Sequence, residues 1–553
     1  MRTATRQAPQ EMKALQLAVG GARATAALRR GRLVQRRGLR PAPVQAVLEE
    51  IVTTEDERLR VAEVAAALDR RLARDFGSGS GSNGNGNGNG SAASAAATEQ
   101  VVSPGDDDRT RFQLHWSVDM WQSFYPSKWV EGLDDPNTPV PDRIRQFTET
   151  LTNAVSTAGI LGSSETARYW AYHLSRTGFF VVQGLAGLLA SRASNGTDGP
   201  SPLLRSTRGV AGPLTEAMLM FYQDHELIKE GKYALPWDMT TSGHRQFNPL
   251  YVLQRSAAFL NEASQTLRRR GEGRNDPIWL KSGLLPDYYA DGFHYQTDGW
   301  LSSRSAKVYE TSTETLFVGR QDAMQRGTLV PLRDFMAGKD ASQMTALEVA
   351  AGTGRFATYV KDNYPGLQLT VSDLSPFYLA EARSNMAYWK RMRAPDAQLG
   401  GVDGAGVTFL QTAAEKLDVP DNSQDIVYCV YLFHELPLSA QRAAAAEMAR
   451  VVKPGGIVIL TDSVQDGDRG AYQTLGNFGD FQEPFYRDYI KTPLGPMFEA
   501  AGLKCDMKLV GSSSKTLTFY KPAEDDKFAA AGTAQAAAQA AAQEVAVEGL
   551  QDE

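Results

Sequence analysis

Thr345-Ala-Leu-Glu-Val-Ala-Ala-Gly-Thr-Gly-Arg355 is the stretch on which the fold turns. Its first six residues read as a short apolar strand, which runs directly into Ala351-Gly352-Thr353-Gly354 and then into a helix over Phe356–Asn363. Small residues at a strand end let a ligand approach the backbone, and a helix N-terminus offers N–H groups that the helix leaves unpaired. A second strand, Leu367–Ser372, ends in Asp373, nineteen residues after Gly354, where a carboxylate can accept hydrogen bonds from two ribose hydroxyls. From Met344 onward strands alternate with helices, the pattern of a doubly wound parallel sheet.

Two nucleoside cofactors compete for such a site. Gly352-x-Gly354-x-x-Ala357 satisfies the dinucleotide pattern G-x-G-x-x-G/A, which keeps an NAD-dependent oxidoreductase open. Glu348 argues against it, because a carboxylate at the end of the first strand faces and repels the phosphates of NAD. S-adenosyl-L-methionine carries no phosphate but a sulfonium and an ammonium, and tolerates that carboxylate. Leu347–Arg355, LEVAAGTGR, resembles motif I of class I S-adenosylmethionine-dependent methyltransferases, of the methyltransferase type 11-like kind.

The downstream segments resemble that family in order and spacing over Ala341–Tyr520. Val407–Thr412 reads as the third strand, and Ala414 to Asp425 resembles a family stretch whose opening residues lie along the adenine. Asp425–Leu432 is the expected fourth strand, Ala440–Val452 a helix, Lys453-Pro454-Gly455-Gly456 a turn and Ile457–Thr461 the fifth strand. Leu503–Val510 and Lys515–Tyr520 fit a closing antiparallel pair. The resemblance implies an α/β, Rossmann-like seven-stranded doubly wound sheet preceded by a mostly α-helical region. It also implies a cofactor site of Glu348, Ala350, Gly352, Gly354, Asp373, Leu374, Ala414, Glu415 and Tyr431. Two positions depart from the pattern: the family's first motif glycine is Ala350, and its adenine-recognising Asp corresponds to Ala413. Phe293–Met324 resembles a stretch of plastid-associated methyltransferase-like proteins of plants and algae, in which upstream helices cover the cofactor. Tyr295 and Tyr309 are the lid candidates within it, against the plainer reading that these aromatics pack the junction.

Ligands of open α/β sheets sit beyond the carboxyl ends of the strands, which places Tyr431, His434 and Glu435 after strand four and Asp462 after strand five near the acceptor. His434 is the candidate general base and Glu435 its orienting partner, with a structural His434 as the alternative. No Asn-Pro-Pro-Tyr string and no metal-ligand set is present. The implied function is transfer of a methyl group from S-adenosylmethionine to a small-molecule acceptor by in-line displacement. The alternative is a catalytically silent S-adenosylmethionine-binding or scaffolding protein with a docking helical region.

The remainder divides the 553 residues. Residues 1–45 hold nine Arg and Lys13 against Glu11 and end at Val44-Gln45 before Ala46, which suggests a chloroplast transit peptide, with a mitochondrial presequence open because Ser is missing. Residues 46–76 form an expected amphipathic helical segment, 77–98 a Gly/Ser/Asn linker, 104–275 a helical region, 276–340 an aromatic lid with connecting helices, and 521–553 an Ala/Gln-rich tail. Phe179–Ala190 reads as a buried helix or an interfacial segment, leaving peripheral membrane contact open, since no apolar run is long enough to span a bilayer. Two cysteines, Cys429 and Cys505, fit a reducing compartment. The net charge of -6 becomes -15 without residues 1–45, with 48 basic against 63 acidic residues, which argues against nucleic acid as a partner.

Overall fold

The computed structural model describes residues 103–124, 163–195, 208–271, 285–290, 298–401, 404–470 and 483–523, all within the unit Glu99–Glu553. The expected presequence, amphipathic segment, linker and residues 524–553 of the tail lie outside the described residues, as does Tyr295.

Eight strands form one sheet in the order β1-β7-β8-β6-β5-β2-β3-β4. Seven of them fall where the sequence predicts strands: β2 Thr345–Val349, β3 Gln368–Asp373, β4 Val407–Gln411, β5 Gln424–Val430, β6 Val452–Ser463, β7 Lys504–Gly511 and β8 Ser514–Tyr520. β2 to β6 are parallel, and β8 runs antiparallel to both β6 and β7. The alternation of side chains along a strand divides β5 between two cores. Val427 and Cys429 join one core with Leu347 and Val349, whereas Ile426 and Tyr428 join the other with Ala346. Because both faces are covered, these strands read as near-continuous apolar runs.

The eighth strand corrects the seven-stranded expectation. β1, Gln113–Leu114, lies parallel to β7 with Gln113 opposite Met507 and Leu114 opposite Lys508. Two residues carry no readable alternation, and their pairing exists only because β7 is otherwise an open edge. Flanking contacts fix it: the N–H of His115 donates to Lys508 O at 2.9 Å, and the N–H of Val510 donates to Ser117 Oγ at 3.1 Å. The second correction concerns Lys453–Gly456, which is not a separate turn but an irregularity inside β6, where the register jumps from Gln424 opposite Val452 to Ile426 opposite Ile457.

The helices that matter for the site are α1 Pro104–Arg111, α2 Trp116–Gln122, α3 Ser164–Asn195, α4 Arg208–Lys229, α5 Trp237–Thr240, α6 Pro249–Gly271, α7 Ser303–Leu316, α8 Gln321–Arg326, α9 Leu329–Met336, α10 Arg355–Asn363 and α11 Pro376–Arg393. α7 and α11 begin conventionally, with Ser302 Oγ accepting from Ser305 N–H and Ser375 Oγ accepting from Tyr378 N–H. The upstream helices pack into the sheet region: Trp121 of α2 donates to Gln223 of α4 at 2.6 Å, and Gln223 donates to Val510 O at 3.0 Å. The Phe179–Ala190 segment lies inside α3, where Gln183 is buried and Val182 is exposed. No helix among the described residues is long and apolar enough to cross a membrane.

Candidate active site

A cavity of about 210 Å³ lies at the carboxyl ends of β2, β3 and β5. Glu348, Ala350, Gly352, Asp373, Leu374, Ala414, Glu415, Tyr431 and Glu435 line it, together with Tyr309. Gly354 and His434 do not, and each has a different duty.

The backbone at the end of the strands is bent for this purpose. Ala350 and Tyr431, which follow the adjacent strands β2 and β5, both have positive φ, 54° and 59°, although neither is glycine. Such conformations cost of order 1–3 kcal/mol each and gather at functional sites. At Gly352, φ is 56° and an added Cβ meets Tyr378 Cδ1 at 3.9 Å and Tyr309 Cε1 at 4.0 Å, ordinary contacts, so the left-handed backbone and not crowding is what favours glycine there. Gly354, φ 65°, is different: a Cβ there meets Ala382 Cβ at 2.9 Å, so this glycine permits the close packing of α10 on α11.

Three amides of the glycine loop are already bonded. The N–H of Ala351 donates to Ser372 O at 2.8 Å, that of Gly352 to Asp373 Oδ2 at 2.8 Å, and that of Gly354 to Ala351 O at 2.9 Å. These three loop amides are therefore already partnered; the expectation drawn from the helix N-terminus concerns the amides that follow, from Arg355 onward. The site fits S-adenosylmethionine. Each oxygen of Asp373 takes one backbone donor, Gly352 N–H on Oδ2 and Ser375 N–H at 2.8 Å on Oδ1, leaving lone pairs for ribose hydroxyls. Burial pushes this carboxyl up to about 6, against the bonds from Ser375 and Gly352.

Glu348 supplies the second carboxyl. It is buried, and Tyr428 Oη donates to its Oε2 at 3.3 Å. Burial pushes it up to about 8, with the Tyr428 bond opposing. A cation placed beside it favours the ionised form. Binding of S-adenosylmethionine at neutral pH is thus expected to release a proton, and affinity to rise with pH until about 8. Calorimetry in buffers of different ionisation heat checks this, and Glu348→Gln is expected to abolish both effects.

The aromatic wall comes from segments upstream of β2. Trp300 and Tyr309 stand 5.9 Å apart between ring centroids, and each lies within 5.6 Å of Tyr378. Tyr288 donates a short hydrogen bond to Glu415, tying the connecting segment to the loop after β4. Ala413, where the family carries Asp, pairs through its backbone with Lys416, while Thr412, Ala414 and Leu374 border the cavity.

His434 is buried and its Nδ1 lies 2.6 Å from Asp462 Oδ1. Asp462 also accepts from the N–H groups of Leu432, Phe433 and Ser463 at 3.1, 2.7 and 2.6 Å, so it organises the loop that carries Tyr431 and Glu435. Burial alone depresses the imidazole, but the Asp462 carboxylate outweighs it and pushes His434 up to about 10. An imidazolium held in this way has no lone pair to offer as a base near neutrality. Because its folded value lies above the ordinary 6.5, its stabilising contribution is complete below about pH 6.5 and lost as pH rises through about 10. His434→Gln is expected to remove that part of the pH dependence in thermal melts.

A buried ionic cluster forms the opposite wall. Arg355 NH2 lies 2.5 Å from Asp238 and 2.8 Å from Asp322, and Arg176 NH2 lies 2.8 Å from Glu314 and 3.3 Å from Asp322. Sequence reading missed these residues, which come from α3, α5, α7, α8 and α10. The available signal was Arg355 itself, a cation in the first turn of α10 where the helix dipole disfavours it.

Residues 347–460 match the family described as the methyltransferase domain. The match begins in β2 and ends in β6. The chain is 32% identical over 121 residues to a demethylmenaquinone methyltransferase of Deinococcus radiodurans, covering 22% of this chain and 44% of that protein. It is 26% identical over 155 residues to a ubiquinone/menaquinone biosynthesis C-methyltransferase of Desulfotalea psychrophila, covering 28% and 53%. It is 25% identical over 245 residues to a 2-methyl-6-phytyl-1,4-hydroquinone methyltransferase of Synechocystis, covering 42% and 64%. The chain therefore spans about half the length of the curated relatives it matches. The cavity lies where the carboxyl ends of the matched strands meet the upstream helices.

Proposed function

We propose that the protein transfers a methyl group from S-adenosylmethionine to a small-molecule acceptor held in the same cavity. The observation that carries this reading is the single cavity shared by the strand-end residues Glu348, Gly352 and Asp373 and by the helical wall of α3, α6, α7 and α8. A space enclosed in this way suits a metabolite. Asp373 would hold the ribose, Leu374, Thr412 and Ala414 would border the adenine, and Glu348 would face the cationic part of the cofactor. Bound there, S-adenosylmethionine supplies an electrophilic methyl group on sulfur, and its neutral thioether product needs no proton. The protein's own contribution is alignment of acceptor and methyl carbon, an effect worth about 7–11 kcal/mol in well-oriented systems.

The relatives named above act on quinone-related rings by their names, which makes such hydroquinones the first acceptors to try. The test is transfer of label from methyl-labelled S-adenosylmethionine to these compounds and to the small-molecule fraction of a cell extract. Label in one extractable species is expected; binding without any transfer would instead support a silent cofactor-binding protein. The basic, acid-poor residues 1–45 support a chloroplast location, checked by imaging a fluorescent fusion of that segment. Accumulation in mitochondria would reject it.

A further inference from the structure

On the wall contributed by α7 and α8, three side chains each keep one oxygen without a donor. Glu314, Gln321 and Gln325 line the cavity and are buried, and Glu314 Oε2, Gln321 Oε1 and Gln325 Oε1 have no hydrogen-bond partner. Buried acceptors are ordinarily paired, so three of them on one wall call for a ligand that donates.

The charges around Glu314 point the same way. The cluster sets three carboxylates, Asp238, Glu314 and Asp322, against two guanidiniums, Arg176 and Arg355. Asp322 is held by both arginines. Asp238 takes Arg355 NH2, the Tyr172 hydroxyl at 3.1 Å and the Met239 N–H at 2.9 Å. Glu314 takes one guanidinium, Arg176 at 2.8 Å on Oε1, and is hydrogen-bonded to the Asp322 carboxylate. It has fewer donors than Asp238 or Asp322, and its side chain lines the cavity. The groups that bear on it are Arg176 from α3, Asp322 from α8, Arg355 from α10 and Tyr431 after β5.

Building on the methyl-transfer reading, we propose that Glu314 is the catalytic base and that the acceptor is a small molecule presenting hydroxyl or N–H donors to Glu314, Gln321 and Gln325. Glu314 takes the proton of the reacting X–H group while X forms its bond to the methyl carbon and the electron pair of the broken C–S bond stays on sulfur. A carboxylate and a sulfonium are thereby replaced by a carboxylic acid and a neutral thioether, and no further reactant is needed. Burial and Asp322 push the Glu314 carboxyl up to about 8, against Arg176. The base form therefore accumulates on the alkaline side.

The test uses the full chain, Glu314→Gln and Glu314→Asp, each first checked for S-adenosylmethionine binding by calorimetry and for folding by thermal melting. Label transfer to extractable metabolites is then followed against pH. The wild-type rate is expected to rise to a plateau above about pH 8, and Glu314→Gln to lower it by about 100-fold or more at unchanged cofactor affinity, with partial recovery in Glu314→Asp. Independently of turnover, and in a Glu348→Gln background that removes the other carboxyl pushed up to about 8, an infrared band of a protonated carboxylic acid is expected to fade through about pH 8 and to be missing once Glu314→Gln is added. Turnover of Glu314→Gln within about threefold of wild type, or a carboxylic acid band fading through about pH 8 that survives Glu314→Gln in the Glu348→Gln background, would overturn the assignment. If the Glu314→Gln variant does not fold, the infrared titration of Glu348→Gln alone and the Glu314→Asp rate profile decide. A wild-type protein that binds the cofactor and transfers no label overturns the methyl-transfer reading itself, a result distinct from an active wild type with an equally active variant.

Discussion

Replacing Arg355 by alanine is expected to cost about 3–5 kcal/mol of folding stability, the range found when one partner of a buried ion pair is removed. Its guanidinium is the main neutraliser of Asp238 and shares Asp322 with Arg176. Those carboxylates have side chains only 1% and 8% exposed, so water does not take over when the cation is lost. Against a total stability of about 5–15 kcal/mol for a folded domain, the loss is large enough to read from a urea midpoint. Arg355→Lys is expected to recover only part of it, because a single ammonium does not reproduce the paired Nε and Nη2 bonds to Asp322. The acid limb gives an independent check. Burial raises the Asp238 carboxyl, but Arg355 overrides this and holds it at about 2, below the ordinary 3.8. Its contribution is therefore present above about pH 4 and lost as pH falls towards 2. In Arg355→Ala that acid transition is expected to move to higher pH. A loss under about 1 kcal/mol would mean that solvent screens the cluster.

Asp373→Ala is expected to weaken S-adenosylmethionine binding by about 100-fold or more. A hydrogen bond to a charged group is worth about 1.5–3 kcal/mol, and two ribose hydroxyls would lose their acceptor together. The substitution also orphans the N–H groups of Gly352 and Ser375, which both end on this carboxylate. It should consequently lower the melting temperature even without ligand, since a buried donor left unpaired is costly. Asp373→Asn is the sharper control: its amide presents only one acceptor oxygen to two backbone donors, and one of them then faces an NH2 group. Calorimetric titration of both variants measures the effect.

What was legible in the sequence was what local chemistry dictates. β2 to β8 were found within a few residues because their apolar runs are bounded by Gly, Pro and Asn. The strand-end positions of Glu348, Gly352 and Asp373 followed from the same grammar. β1 escaped because two residues have no period; its pairing is decided by β7, almost four hundred residues away. Gly354 reads from spacing as a cofactor residue, yet its constraint is the contact with Ala382, which only the packing of α10 on α11 reveals. His434 reads as a base from its ordinary titration range, and the neighbouring Asp462 removes it from that range. The ionic wall was illegible because each of its five charges is an ordinary surface residue in sequence. Only the convergence of α3, α5, α7, α8 and α10 makes them a buried group.

The cavity at the ends of β2, β3 and β5 is expected to take S-adenosylmethionine and not a dinucleotide. Calorimetric titration of the full chain with S-adenosylmethionine and with NAD tests that choice directly. One equivalent of S-adenosylmethionine is expected to bind, sensitive to Asp373→Ala, with no heat from NAD. NAD binding that S-adenosylmethionine displaces, or S-adenosylmethionine binding indifferent to Asp373, would contradict it.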